Sequence, residues 1–438
     1  MLEKLFKLEK HGTDVKTELI AGLTTFLAMA YILAVNPGML GQTGLSVQSV
    51  FLATAIASGL ASIMMGVVAN YPVALAPGMG VNALFTYTIC MGYGYTPAAA
   101  LAAVFVSGVI FLIISVTGIR KMIIDAIPQQ LKLAIGGGIG FFIAFIGLVN
   151  AGIIVSNPAT IVGLGNLKDP VVLLSVFGIV ATIILLALKV KAGVFWGLLL
   201  TAVVGIICGL MGIEGMPTLP TQVVSAEFDF SAVGLAFSGL GELFTQPTCP
   251  MVLFSFLFVD FFDTAGTLMA VANRAGLVKE DGSLENVEKA LLSDATGTVV
   301  GAVLGTSTVT SFVESTSGVE VGGRTGLTAV TAGVLFLLSV FLSPLLVTVT
   351  SAVTAPALFV VGILMSAQLK GVDWEDFPYA VSGFMVIIFM ILSYSISNGI
   401  AIGFIFYTLA MIGCKRAKDV HWIIYILDIV FIAYFVLV

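Results

Sequence analysis

Tyr71-Pro-Val-Ala-Leu-Ala-Pro-Gly-Met-Gly-Val-Asn82 and Gly305-Thr-Ser-Thr-Val-Thr-Ser-Phe-Val-Glu314 stand where the hydropathy of the chain calls for membrane-spanning helices, and neither can be one. In the first, Pro72, Pro77, Gly78 and Gly80 forbid a continuous helix. The second is a Thr/Ser/Val stretch with extended character. Interrupted backbone at membrane depth survives only inside protein or around a cavity, because its freed N–H and C=O groups must find partners. Two such breaks at matching places in two halves of a chain point to a transporter's substrate site.

The surroundings of these stretches justify speaking of a membrane. Of 438 residues, 59% are hydrophobic and 48 are glycine, while only 10% are charged; mean hydropathy is +1.14. Soluble domains carry about 25% charge, and a soluble fold could not cover this much apolar surface. A soluble enzyme, a nucleic-acid binder and a disordered scaffold are excluded. The two histidines, His11 and His421, lie near opposite ends, which argues against a histidine metal centre or a Ser–His triad. Cys90, Cys208, Cys249 and Cys414 lie in or beside apolar runs without CxxC spacing and read as small buried hydrophobes.

The opening MLEKLFKLEKHGTDVKTE mixes acids and bases and is no signal peptide; its Leu2, Leu5, Phe6 and Glu9 spacing predicts a short interfacial helix. Apolar windows of about 20 residues, the length that crosses a bilayer, then follow near 19–40, 46–69, 72–92, 96–118, 132–152, 170–188, 192–211, 248–272, 287–304, 305–322, 325–343, 353–369, 378–395 and 397–413. A further run, 421–438, spans or lies in the interface, and Trp422, Tyr425 and Asp428 favour the interface. With the N-terminus inside, seventeen of the 18 basic residues, Arg120, Lys121 and Lys279 among them, fall on the cytoplasmic side and only Lys168 falls outside. The loop 212–247 carries acids and no Lys or Arg, as an external loop can. Seven windows precede it and seven follow, and an odd number per half forces the halves into opposite orientations.

A charge at membrane depth costs about 2.5–3.5 kcal/mol on insertion scales, so each needs a reason. Asp260 and Asp263, three residues apart in Phe254-Ser-Phe-Leu-Phe-Val-Asp-Phe-Phe-Asp-Thr-Ala-Gly-Thr-Leu268, share a helix face. Glu314 follows the break in the tenth window, where a half-helix should begin. No Lys or Arg lies at comparable depth, so at least one of these acids is expected to hold a proton. Glu320, four residues before Arg324, reads as a surface ion pair. Asn82 closes the first break as an N-cap for a half-helix beginning Ala83-Leu-Phe, as a ligand, or as both. Phe85, Phe261, Phe262 and Phe312 flank the polar residues and are candidates to stack on a ligand. Carboxylates accept from N–H donors while half-helix N-termini offer N–H groups to acceptors. A neutral or cationic polar solute suits that mixture, a planar heterocycle among them; an anion does not.

Thr24-Thr25-Phe26-Leu27-Ala28-Met29-Ala30-Tyr31, Ala76-Pro77-Gly78-Met79-Gly80-Val81-Asn82, the Asp260–Asp263 segment with Asp263-Thr-Ala-Gly-Thr267, and Thr306-Ser-Thr-Val-Thr-Ser-Phe-Val-Glu-Ser315 through Gly322-Gly-Arg-Thr-Gly326 together resemble the AzgA-type purine permeases. These form the adenine/guanine/hypoxanthine branch of the nucleobase–cation symporter (nucleobase–ascorbate) superfamily, and the resemblance covers essentially the whole chain. It implies an all-α polytopic membrane protein of fourteen segments in two inverted repeats of seven, with short antiparallel strands in broken segments 3 and 10. It also implies a core domain, residues 1–118 (segments 1–4) and 248–343 (segments 8–11), moving against a gate domain, residues 119–211 (segments 5–7) and 344–438 (segments 12–14 and the last apolar run), with 212–247 an external loop. The family's substrate site matches Asn82, Asp260, Asp263 and Glu314. In the related uracil permeases a glutamate on segment 8 is followed four residues later by a histidine; aligning Asn273 puts Asp263 at the glutamate and Thr267 at the histidine. The histidine's proton-linked role then falls to Asp260, one turn earlier.

The expectation is therefore a proton-coupled importer of purine nucleobases (guanine, hypoxanthine, adenine) in the inner or plasma membrane, with Asp260, Asp263 and Glu314 handling the proton. It needs no cofactor, no metal and no nucleic acid, and the superfamily's homodimers extend to it as an expectation. Na+ coupling through the same carboxylates is the rival within transport. An intramembrane aspartyl hydrolase is the rival enzyme, although such enzymes hold their two aspartates on separate helices and Asp260 and Asp263 share one. A channel is disfavoured, since no ring of like residues or continuous polar face appears.

Overall fold

The computed structural model describes residues 2–117, 126–277 and 286–437. Arg120, Lys121 and Lys279 lie outside the described residues, as do the side chains of Phe262 and Asn273. All fourteen expected segments are occupied by secondary structure, and the chain is a multi-pass membrane protein; among the described residues nine helices are long and apolar enough to cross a membrane. In order they are Val15–Met29 with Ile32–Leu40 (segment 1), Val47–Met64 (2), the broken segment 3, Pro97–Thr117 (4), Gln129–Asn150 (5), Pro170–Ala187 (6), Gly193–Leu210 (7), Cys249–Ala275 (8), Val287–Leu304 (9), the broken segment 10, Gly326–Leu338 (11), Ser351–Ser366 (12), Phe377–Leu392 (13) and Ile396–Gly413 (14).

Segment 3 is strand β1, Leu75–Pro77, running into helix Met79–Ala83 and a π-helical stretch Leu84–Gly92. Strands β2 (Ile154–Asn157) and β3 (Ile161–Leu164) make a surface hairpin between segments 5 and 6 that the apolar periodicity did not disclose. Segment 10 is strand β4, Val309–Ser311, then helix Ser315–Glu320. β1 and β4 pair antiparallel, Ala76 opposite Thr310, with Gly78 N donating to Thr308 O at 3.0 Å and Phe312 N to Ala74 O at 3.1 Å. Two strands alone leave two open edges, which no water can serve at this depth. Hydroxyls close them: Ser62 of segment 2 takes Leu75 N (2.8 Å) and gives to Leu75 O (3.1 Å), Ser315 takes Ala74 N (3.0 Å), and Thr298 of segment 9 gives to Val309 O (3.1 Å).

Around this crossing the helices fall into two packing groups. Segment 11 packs on 1 and 2, segment 9 on 2 and 4, and segment 4 on 8. Segment 5 packs on 12 and 13, segment 6 on 7 and 12, and segment 13 on 14. Close approach of segments 5 and 12 depends on Gly140 and Gly362, where a Cβ on Gly362 would stand 2.4 Å from Gly140 O. The loop 212–247 is fastened over helix ends: Ser225 N to Phe341 O, Gly234 N to Val303 O, and Ser46 Oγ to the Asp229 carboxylate. The Ser46 hydroxyl and the Ser231 amide hold the Asp229 carboxyl below its usual range.

The structure adds packing to two of these expectations and corrects one, the partner of Glu320. The N-terminal helix Leu2–Phe6 exists, but Phe6 and Leu8 are buried against Leu327 of segment 11. Glu320 pairs with Arg274 of segment 8, while Arg324 donates to the carbonyls of Val319 and Gly323, because the chain turns at Gly322 (φ +111°) and carries the two side chains apart. The last run forms helix Trp422–Leu437 along segment 14: Phe431 meets Phe404, in the middle of that segment, with ring centroids 5.6 Å apart, and also Phe254 and Phe258 at 5.5 Å. This aromatic packing seats the helix against segments 8 and 14, with Asp428 buried.

Candidate functional site at the strand crossing

Each half contributes a broken element, and the carboxylates gather where the two meet. Glu314 follows β4 and precedes helix Ser315–Glu320; the hydroxyl of Tyr31 donates to its Oε1 at 2.5 Å. Tyr31 occupies the joint between the two pieces of segment 1, where Ile32–Leu40 begins, and is buried. On segment 8, Asp263 accepts from Thr310 Oγ1 of β4 at 3.3 Å. Its Oδ2 would lie 2.9 Å from a Cβ on Gly78, so only glycine at the end of β1 leaves the carboxylate its place. Asp263 stands close enough to interact electrostatically with Glu314 and with Asp294, and Tyr31 with Asp263.

Asp260 lies elsewhere. Thr264 Oγ1 approaches its Oδ1 at 3.5 Å and Thr298 Oγ1 its Oδ2 at 3.4 Å, so it faces segment 9. Thr264 also donates toward both oxygens of the buried Asp294, at 2.8 and 3.0 Å, and Ser311 of β4 reaches Asp294 at 3.5 Å. Three residues along a helix rotate a side chain by about 60° and raise it by about 4.5 Å. That separates one acid at the strand crossing from one in the seam between segments 8 and 9. Asn82 is fully buried, and Ser307 donates to its Oδ1. The half-helix starts at Met79 with Gly78 as its cap, and Asn82 N donates back to Gly78 O at 2.8 Å, so Asn82 sits inside the helix and does not cap one beginning at Ala83.

Of the aromatic candidates, Phe85, Phe261 and Phe312 are all buried in the main apolar core, Phe261 against Phe111 with centroids 6.5 Å apart; Phe262 lies outside the described side chains. Tyr31 and Asp294 escaped the residue-by-residue reading. Asp294 had a signal, a carboxylate inside the apolar run 287–304. Tyr31 had none beyond its place in a motif, because its role comes from a helix joint and a partner 283 residues away.

Paired half-elements enclosed by segments 1, 2, 8 and 9, with acids and hydroxyls converging on them, fit a membrane transporter and not an enzyme, and the relatives of this chain show that class. The chain belongs to the Permease family (Xan_ur_permease), whose profile matches residues 16–402. It is 49% identical to the guanine/hypoxanthine permease PbuG of Bacillus subtilis, over 99% of both chains, and 41% identical to the adenine permease AdeP of Escherichia coli, over 99% of this chain and 95% of that one. These relatives bear out the resemblance to AzgA-type purine permeases. Among solved structures, the transmembrane domain of a cyanobacterial bicarbonate transporter, BicA, superposes with a TM-score of 0.65 at 16% identity, covering 87% of this chain and 97% of that one. The fold is thus the seven-plus-seven inverted repeat.

Proposed function

We propose that this chain is a proton-coupled symporter that imports purine nucleobases (guanine, hypoxanthine, adenine) across the cell membrane, with its N-terminus in the cytoplasm. The observation that carries the reading is the convergence of Asp263 and Glu314 on the β1–β4 crossing, beside the Tyr31 and Thr310 hydroxyls. A purine offers ring N–H groups to such carboxylates, and its ring nitrogens accept from hydroxyls and half-helix amides. The relatives, a guanine/hypoxanthine permease and an adenine permease, favour the same substrate class.

In this reading Asp263 and Glu314 hold the base, Asn82 braces the half-helix beside it through Ser307, and Asp260 handles the coupling proton from the seam with segment 9. A proton taken from outside removes a desolvated charge, so the loaded site crosses more cheaply than the empty ionised one. The two packing groups support a core of segments 1–4 and 8–11 that moves, elevator-like, against a gate of segments 5–7 and 12–14. One observation favours Na+ as the second reading: the oxygens of Asp260, Asp294, Thr264, Thr298 and Ser311 lie together. Uptake of radiolabelled guanine into proteoliposomes separates the two. An acid-outside pH gradient should drive accumulation without Na+, and a protonophore should collapse it; uptake that needs Na+ and ignores the protonophore would sink proton coupling.

A further inference from the structure

Away from the strand crossing, a cavity with polar side chains in its wall opens at the membrane face where segments 1, 3, 5 and 13 end and segment 14 begins, opposite the N-terminus. It holds about 550 Å³, within the range of small-molecule sites. Its lining joins both packing groups. Gln42 and Tyr87 come from the end of segment 1 and from segment 3, Asn150 from segment 5, and Tyr394 and Asn398 from the turn into segment 14. Tyr87 lies two helical turns beyond Met79, and none of the strand-crossing residues Tyr31, Asp263, Thr310 and Glu314 lines the cavity.

The polar chemistry is assembled on one atom. Asn150 Nδ2 donates to the Tyr87 hydroxyl at 2.9 Å and Gln42 Nε2 at 3.3 Å. Accepting both leaves the phenol its own proton to give, and leaves each carboxamide an oxygen to accept. Tyr394 supplies an aromatic wall. Its backbone is left-handed (φ +53°) because it closes the helix of segment 13, Tyr394 N donating to Ile391 O at 3.3 Å and Ser395 N to Met390 O at 3.2 Å. The ring is held in place edge-to-face against Phe142, Phe145 and Tyr87, with centroids 5.6, 5.9 and 5.8 Å apart, and Thr88 donates to the Tyr394 carbonyl at 3.4 Å. An aromatic wall beside a phenol donor and two amide oxygens is the pattern of a binding site.

We propose that this cavity is an outer recognition site, where a planar heterocycle bearing N–H donors and ring or carbonyl acceptors stacks on Tyr394 and bonds Tyr87, Asn150 and Gln42 before it reaches the strand crossing. The proposal rests on the nucleobase reading for its ligand, and the test keeps the two apart. In a variant with the four cysteines replaced by serine, Ser393→Cys at the cavity rim is labelled from outside by a membrane-impermeant maleimide, with guanine as protectant. The assay is run in this parent and in the same protein carrying Asp263→Asn and Glu314→Gln. Guanine should slow labelling in both, and Tyr394→Ala should raise the half-protecting concentration at least tenfold. Asn150→Leu, which leaves the braces of Tyr394 in place, should do the same and serves if the first variant fails to fold. Protection in the parent that vanishes with Asp263→Asn and Glu314→Gln would overturn the outer site and spare the nucleobase reading. The absence of protection in both, with no guanine binding by calorimetry, would overturn both. Protection unchanged by Tyr394→Ala and Asn150→Leu would also overturn the outer site.

Discussion

Among the described residues two glutamates enter the interior of this protein, and their surroundings differ. Glu18, in the first turns of segment 1, is fully buried and takes hydrogen bonds from the backbone N–H groups of Arg324 (2.8 Å), Thr325 (3.2 Å) and Thr328 (3.1 Å) and from the Thr328 hydroxyl (2.6 Å). It caps the start of segment 11 from across the fold, a carboxylate at a helix N-terminus where charge and orphan donors match. Glu314 meets the Tyr31 hydroxyl, on a broken element, at the point where both halves converge. A carboxylate saturated by fixed backbone donors holds structure together; one that meets a side-chain hydroxyl beside other acids retains capacity for a ligand or a proton.

The largest effect should come from breaking the structural member. Glu18→Ala strips the acceptor from backbone amides that stay buried, and should destabilise the protein by on the order of 3 kcal/mol. Tm in detergent should fall, while the guanine affinity of the surviving folded protein stays near that of the parent; an unchanged Tm would dissolve the contrast. Glu314→Gln and Asp263→Asn should do the reverse. Each should weaken guanine binding by about 1.5–3 kcal/mol, the scale of hydrogen bonds to charged groups, without lowering Tm, since a neutral amide is cheaper to bury than a carboxylate. Calorimetric affinity unchanged in both would remove them from the site.

The two aspartates of segment 8 sharpen the contrast further. Asp260→Asn should bind guanine at near parental affinity but lose most of the pH dependence of binding, and counterflow exchange should outlast gradient-driven accumulation. Concentrative uptake with parental pH dependence would show that Asp260 does not carry the proton. The smallest effect belongs to Tyr31→Phe, which deletes a single hydroxyl beside Glu314 and should cost about 0.5–1.5 kcal/mol of guanine affinity. A loss as large as that of Glu314→Gln would instead make Tyr31 a direct ligand, a result that a series of purine analogues would resolve.

The apolar windows and the two broken stretches were legible because a bilayer leaves the chain few choices. Spans must be about 20 apolar residues long, and proline and glycine at depth can only mean a break. From these follow the fourteen segments, their division around 212–247, and the short list of acids that need a reason to be there. The sequence also suggested that Asp260 and Asp263 work side by side, since three residues on a helix share a face.

Partners across the fold were not legible. Helix periodicity places a side chain to within a face, while a site is decided by about 60° and 4.5 Å, and that difference gives Asp263 to Thr310 and Asp260 to Thr298. Glu18 reads as one more charge in a polar leader until segment 11 is brought to it, and Glu320 looks paired with Arg324 until the turn at Gly322 hands it to Arg274. Local sequence determined where the membrane lies and where the backbone must break. Only tertiary structure decided which carboxylate meets which donor, because those contacts join residues from opposite halves of the chain, and their energies depend on distances that no spacing rule encodes.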